Sequence, residues 1–176
     1  MAVNGAMAEL SRFAPDIPQM VRVTLRLLAA LFIGTAIGLQ RELTHKPAGL
    51  RTHMLVALGT ALFIVGAAES GMSSDSLSRI VQGLATGIGF LGGGAILKLT
   101  SEREIHGLTT AGGIWMTAAA SAAAGLGQIA VALIGTALGL LVLIVFHRLE
   151  KGLGHRARKD AENHPPHGDP NPKDIA

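Results

Sequence analysis

The chain has 176 residues, of which 49% are hydrophobic and only 15% charged, against roughly 25% charged in ordinary soluble domains. Net charge is +3 and the pI about 9.8, but Lys and Arg gather at the ends of apolar runs and in the C-terminal tail, where loop charge sets membrane orientation, so this is no nucleic-acid footprint. The absence of cysteine excludes disulfides, thiol catalysis and Cys-based metal sites, and a mean hydropathy of +0.43 carried in blocks approaching ~20 residues defines a polytopic membrane protein.

Residues 1–20 form a polar lead-in with Pro15 and Pro18, lacking the short apolar core and small-residue cleavage site of a signal peptide. The first predicted helix covers about 21–39, a span of ~28 Å at 1.5 Å per residue. Arg22 and Arg26 lie four apart on one face near its start. They snorkel to the headgroups, or Arg26 turns into the bundle towards a polar partner. Gly34 and Gly38, also four apart, mark a helix-packing face.

Arg41, Glu42, His45, Lys46, Arg51 and His53 then fall within thirteen positions, wedged between two apolar runs. An Arg or Lys at the centre of a membrane helix costs roughly 2.5–3.5 kcal/mol. The cluster is therefore expected at the hydrocarbon rim or facing a polar crevice. Pro47 and Gly49 interrupt helical continuity, so the stretch reads as a charged turn between two membrane helices. Glu42 neutralises Arg41 or Arg51 there, or Arg51 holds a phosphate-like group; His45 and His53 are read as interfacial.

A second helix covers about 50–68, and the polar stretch 69–78 reads as a loop. The third, about 78–97, contains Gly83, Gly87, Gly89, Gly92, Gly93 and Gly94. In lipid such glycines permit close approach of neighbouring backbones, with Gly83 and Gly87 as packing positions. They make this helix the expected central, most enclosed element, unless Gly92–Gly94 interrupts it to line a site. A second charged loop, 98–106, carries Glu102, Arg103 and Glu104. The fourth helix, about 108–126, is Ala-rich with Thr109 or Thr110 as N-cap. Gly127 and Gln128 leave room for a tight hairpin before the fifth, about 129–146. Residues 150–176 form a basic, Pro-rich tail expected to be disordered and cytoplasmic.

The fold expected is thus all-α: five transmembrane helices in a membrane domain over 21–149, with a Gly-rich central helix. Five spans place the termini on opposite faces. Arg12, Arg22, Arg26 and Arg79 then share one side and the other eleven Lys and Arg the opposite side, which positive-inside reasoning makes cytoplasmic. The N-terminus is expected outside.

For an enzyme the chain lacks the usual signatures: no HExxH, no GxSxG, and no acidic residue within predicted helices two to five. No cofactor and no metal site are expected, the His164–His167 pair lying in the tail without a third ligand. A cation or proton path would draw on carboxylates or on carbonyls of a broken helix, here Glu42 and Gly92–Gly94. A membrane regulator, docking its Gly- and Ala-faced helices on another membrane protein, is the competing reading.

Three blocks resemble the MgtC/SapB family: GLQRELTHKPAGLRTHMLVALGTALF from Gly38 to Phe63, SRIVQGLATGIGFLGGGAIL from Ser78 to Leu97, and HGLTTAGGIWMTAAASAAAGLG from His106 to Gly127. Their order and spacing match too, and with the flanking helices they cover about 25–146. The resemblance implies a bacterial inner-membrane protein associated with magnesium limitation, envelope stress or acid survival. Such a protein acts on other membrane machinery, including the ATP synthase or a transporter, rather than carrying magnesium itself. Carried over by position, the candidate ligand or partner site comprises Arg41, Glu42, Arg51, Thr52, Gly87, Gly89, Gly92, Gly94, Thr109 and Thr110. The expected partners are the lipid bilayer, further copies of the chain and a membrane protein, with no nucleic acid. Gln40 stands where the family often has Glu, and virulence-type members carry a folded soluble domain where this chain has its short tail.

Overall fold

The structure is a computed structural model and describes residues 16–98 and 105–163. Glu102, Arg103 and Glu104 of the second charged loop, and the His164–His167 pair, lie outside them. Helices carry the fold: α1 (Ile17–Leu43), α2 (Leu50–Glu69), α3 (Ser74–Ala95), α4 (Leu108–Gly125) and α5 (Ile129–Asn163). Between α3 and α4, the two-residue strands β1 (Leu97–Lys98) and β2 (Ile105–His106) pair antiparallel. Among the described residues, three helical spans are long and apolar enough to cross a membrane: Ile17–Leu43, Leu50–Glu69 and Ile129–Phe146.

Helix ends follow local chemistry. α1 begins earlier than expected because Pro18 sits in its first turn, where a missing N–H costs nothing. It ends as His45 N donates to the Glu42 carbonyl and Lys46 N to the Arg41 carbonyl. His45 and Ala48 then adopt left-handed backbone (φ 53° and 56°) around Pro47. α3 starts at Ser74 because the Ser73 hydroxyl accepts from Ser76 N, with Asp75 in the first turn suiting the helix dipole. It runs unbroken through Gly92–Gly94 to Ala95.

The N-cap of α4 is Gly107, not Thr109 or Thr110. Gly107 takes a left-handed conformation (φ 100°) where a β-carbon would collide with the Ala95 carbonyl, and the helix starts at once at Leu108, leaving both threonines inside its first turn. α5 continues to Asn163, through residues 150–163 where disorder is expected. That stretch carries two each of Lys, Arg, Ala and Glu and no proline, the next one being Pro165. The described residues fall into two compact units that divide between Gly139 and Leu140, α5 beginning in the first and continuing in the second.

In the first unit α1 and α2 cross closely and α4 packs on both. Gly34 and Gly38 set the crossing: a β-carbon on Gly34 would lie 2.7 Å from Ala57 Cβ and from the His53 carbonyl, and one on Gly38 2.8 Å from Leu50 Cα. Ile33, Ile37, Ala57, Ala61, Ile64 and Ala124 are fully enclosed in this contact. The expectation of a glycine-rich central helix is corrected. α3 buries only Ile88 and Gly92, whereas α4 buries ten residues and is the most enclosed helix. Alanine supplies close approach without the conformational cost of glycine. β-carbons on Gly83, Gly87, Gly89 and Gly94 would meet nothing within 4 Å.

Candidate functional site

Where α1 ends, α2 begins and α4 begins, a row of polar side chains is sealed inside the helix contact. Arg41, in the last turn of α1, is 2% exposed and donates from Nη2 to Thr110 Oγ1 at 2.5 Å. His53, one turn into α2, is fully buried, its Nδ1 2.7 Å from Thr117 Oγ1. Thr117 itself donates to the Gly113 carbonyl at 2.9 Å. A hydroxyl has one proton, so Nδ1 carries the hydrogen of the His53–Thr117 bond and Nε2 is left as an acceptor. Ser121 continues the row one turn further along α4, fully buried. Thr110, Thr117 and Ser121 are spaced seven and four apart, which puts all three on one helical face, rising ~16 Å from the Arg41 end.

This seam holds more hydrogen-bonding capacity than it uses. Arg41 Nε, His53 Nε2, Ser121 Oγ and Gln40 Oε1 are buried without a partner. An unpaired buried polar group costs ~1–3 kcal/mol, which makes the seam from Arg41 to Ser121 the candidate site rather than ordinary packing.

The candidate residues separate into distinct settings. Arg41 and Thr110 are joined in the seam. Glu42 is exposed and pairs with neither Arg41 nor Arg51: its Oε2 accepts the Leu50 N–H at 3.0 Å and packs against Gly49, where a β-carbon would displace the carboxylate. Arg51, Thr52 and Thr109 are exposed. Gly92 is buried, its missing side chain facing Trp115, while Gly87, Gly89 and Gly94 stay open. The charged cluster is therefore divided, with Arg41 and His53 inside and Glu42, His45, Lys46 and Arg51 outside. His53 is not interfacial, because the small residues Gly38 and Gly113 leave space for its ring.

Sequence reasoning missed Thr117, Ser121 and Glu69. The first two interrupt an Ala run at helical spacing, which is a readable signal. Glu69 sits one residue past the second predicted helix. It is the partner that Arg26 finds, at 3.3 Å, in the one ion pair among the described residues, and it also accepts from Gln19 Nε2 at 3.0 Å. Gly127 lies against the same guanidinium at the turn into α5. Arg26 and Arg41 are fifteen residues apart on α1, ~22 Å, so each holds one end of the bundle within the ~30 Å hydrocarbon thickness.

A helical membrane protein with a cationic, hydroxyl-lined seam at one end is the class these features define. The model of the MgtC family matches residues 27–152. The protein SrpB of Synechococcus elongatus is 45% identical over 140 residues, covering 73% of this chain and 77% of SrpB. "Putative magnesium transporter YhiD" of Escherichia coli K12 is 42% identical over 71% of this chain, and protein MgtC of Salmonella typhimurium 40% identical over 69%. The chain spans 60% of the length of YhiD and 51% of that of MgtC. No solved structure matches. The chain belongs to the MgtC family.

Proposed function

We propose that this protein supports magnesium or ion homeostasis under stress from the bacterial inner membrane, as a non-enzymatic modulator of other membrane proteins. All five helices cross the bilayer in this reading, α3 and α4 completing the set, with the N-terminus outside and the C-terminus cytoplasmic. The chain works as a homo-oligomer with a transporter or the ATP synthase as partner, and the α1–α2–α4 seam couples that partner to the bundle. Thr52 and Thr109, exposed at the same end, are available to it.

The observation that carries the proposal is the burial of Arg41. The one charge enclosed between α1, α2 and α4 is positive and hydrogen-bonded to Thr110. In a low-dielectric interior a fixed positive charge repels a divalent cation strongly, so this seam opposes magnesium passage. Hard cations also seek several oxygen ligands, and the exposed Glu42 is already engaged by Leu50 N–H. The name of the E. coli relative makes transport the competing reading, with Glu42 and the α3 glycines at its site.

Reconstitution of the purified chain in liposomes with an entrapped magnesium or pH indicator separates the two. Flux no greater than in protein-free liposomes, together with rescue of low-magnesium growth in a deletion strain, is the expected result. Robust flux abolished by Glu42→Gln overturns the modulator reading.

A further inference from the structure

Along the outer side of α2 and α3 runs an apolar groove of about 650 Å³, walled by Leu55, Phe63 and Leu91 and floored by Gly59, Gly83 and Gly87. Its residues on α2 recur at four-residue spacing: Leu55, Gly59, Phe63. One turn before Leu55 on that stripe stands Arg51, exposed and without an ion pair among the described residues. From Arg51 to Phe63 is twelve residues, ~18 Å of helix, against the ~15 Å that one leaflet contributes to a ~30 Å hydrocarbon core. The groove itself covers Leu55 to Phe63 on α2, ~12 Å, and the stripe reaches the length of one acyl chain at Arg51, an exposed cation one turn beyond the groove's Leu55 end. Its glycine floor leaves a channel beside α2 where side chains would otherwise fill the space; β-carbons at Gly59, Gly83 and Gly87 would meet nothing within 4 Å.

We propose that this groove is a binding site for an anionic phospholipid, one acyl chain lying over Gly59, Gly83 and Gly87 and the phosphate meeting Arg51. The occupant follows from charge and shape together. A neutral apolar helix from another protein would leave Arg51 unanswered, whereas a phosphodiester carries the complementary charge at the right end. The inference rests on α2 crossing the membrane, and not on which partner protein is modulated.

The test uses a tryptophan in the groove. Trp115 is the only native tryptophan, so Phe63→Trp in a Trp115→Phe background reports one locus. The full chain is reconstituted in phosphatidylcholine bilayers containing a minor fraction of chain-brominated phosphatidylglycerol or, separately, chain-brominated phosphatidylcholine. Quenching should show about fivefold enrichment of phosphatidylglycerol at the groove, the size of one basic contact with an anionic headgroup. Arg51→Gln should abolish that enrichment, and Arg79→Gln, altering the exposed arginine of α3, should leave it intact. Equal quenching by both lipids overturns the proposal. So does an enrichment that Arg51→Gln preserves or that Arg79→Gln also removes, since either shows general surface electrostatics. Protection from both quenchers would show that a second copy or another protein occupies the groove, and would overturn it as well. None of these outcomes depends on magnesium flux, so failure here is distinguishable from failure of the modulator reading.

Discussion

Two glycine pairs four residues apart, Gly34/Gly38 on α1 and Gly83/Gly87 on α3, look alike in the sequence and do opposite things in the structure. At the first pair the backbone of α2 lies so near that a β-carbon would come within 2.7–2.8 Å of Ala57, His53 or Leu50. At the second, nothing lies within 4 Å and the missing side chains leave a groove. Small residues record that something comes close; they do not say whether it belongs to the same chain. What distinguishes the pairs is their surroundings. Gly34 and Gly38 are themselves buried and follow the fully buried Ile33 and Ile37, while Gly83 and Gly87 are exposed, although Ile88 beside Gly87 is buried.

The largest effects should come from the first pair. Gly34→Ala and Gly38→Ala force backbone apart from backbone, which no rotamer change relieves, and should destabilise the bundle by about 3 kcal/mol. Thermal unfolding in detergent and membrane abundance measure this directly. Wild-type stability in both variants would mean that the α1–α2 crossing is looser than described, and the contrast with α3 would collapse.

Next in size is the seam that this crossing encloses. Thr117→Val keeps the shape but removes the acceptor of the His53 Nδ1–H, stranding a fully buried ring, and should cost about 1–3 kcal/mol. Thr117→Ser keeps the hydroxyl and should remain within about 1 kcal/mol of the wild type, the loss of one methyl group. If the two substitutions unfold alike, packing and not the hydrogen bond holds His53, and the seam is structural filler.

The helices were legible because apolar runs show in the sequence: nine of the ten predicted helix ends lie within four residues of the observed ones, the exception being the end of α5. α1 was underestimated because Pro18 reads as a breaker when, in a first turn, it initiates. The site was harder to read. A run of six ionisable residues suggests one cluster, yet a helix turns 100° per residue, so Arg41 and Glu42 point to different faces and only Arg41 goes inside. His53 looked interfacial because sequence proximity to the turn was visible and the space left by Gly38 and Gly113 was not. The partner of Arg26 lay 43 positions away at Glu69, and a pairing of that kind is set by the α1–α2 crossing rather than by any local pattern.

That pair gives a third, smaller effect. Arg26 and Glu69 are 23% and 22% exposed in their side chains, so water screens them in part. A double-mutant cycle with Arg26→Gln and Glu69→Gln should return a coupling of about 1 kcal/mol or less that weakens with salt. A coupling near zero would place both groups among the lipid headgroups, where Arg26 has other partners, and would leave the seam as the buried polar tie between α1 and its neighbours.

The smallest effects should come from α3. Gly83→Ala and Gly87→Ala add a methyl group to open space and remove glycine from a helix, which gains up to ~1 kcal/mol where the helix is unstrained. In detergent, both variants should therefore match or slightly exceed the wild type in thermal stability. This is the sharpest check on the comparison, because the two pairs receive the same substitution and opposite signs are expected. Should Gly83→Ala destabilise as Gly34→Ala does, the face of α3 is covered by protein in the assembled state, and concentration dependence of the loss would identify the cover as a second copy. Should the sign hold, the glycines of α3 serve what binds in the groove rather than the fold, and their cost to helix stability is the measure of that use.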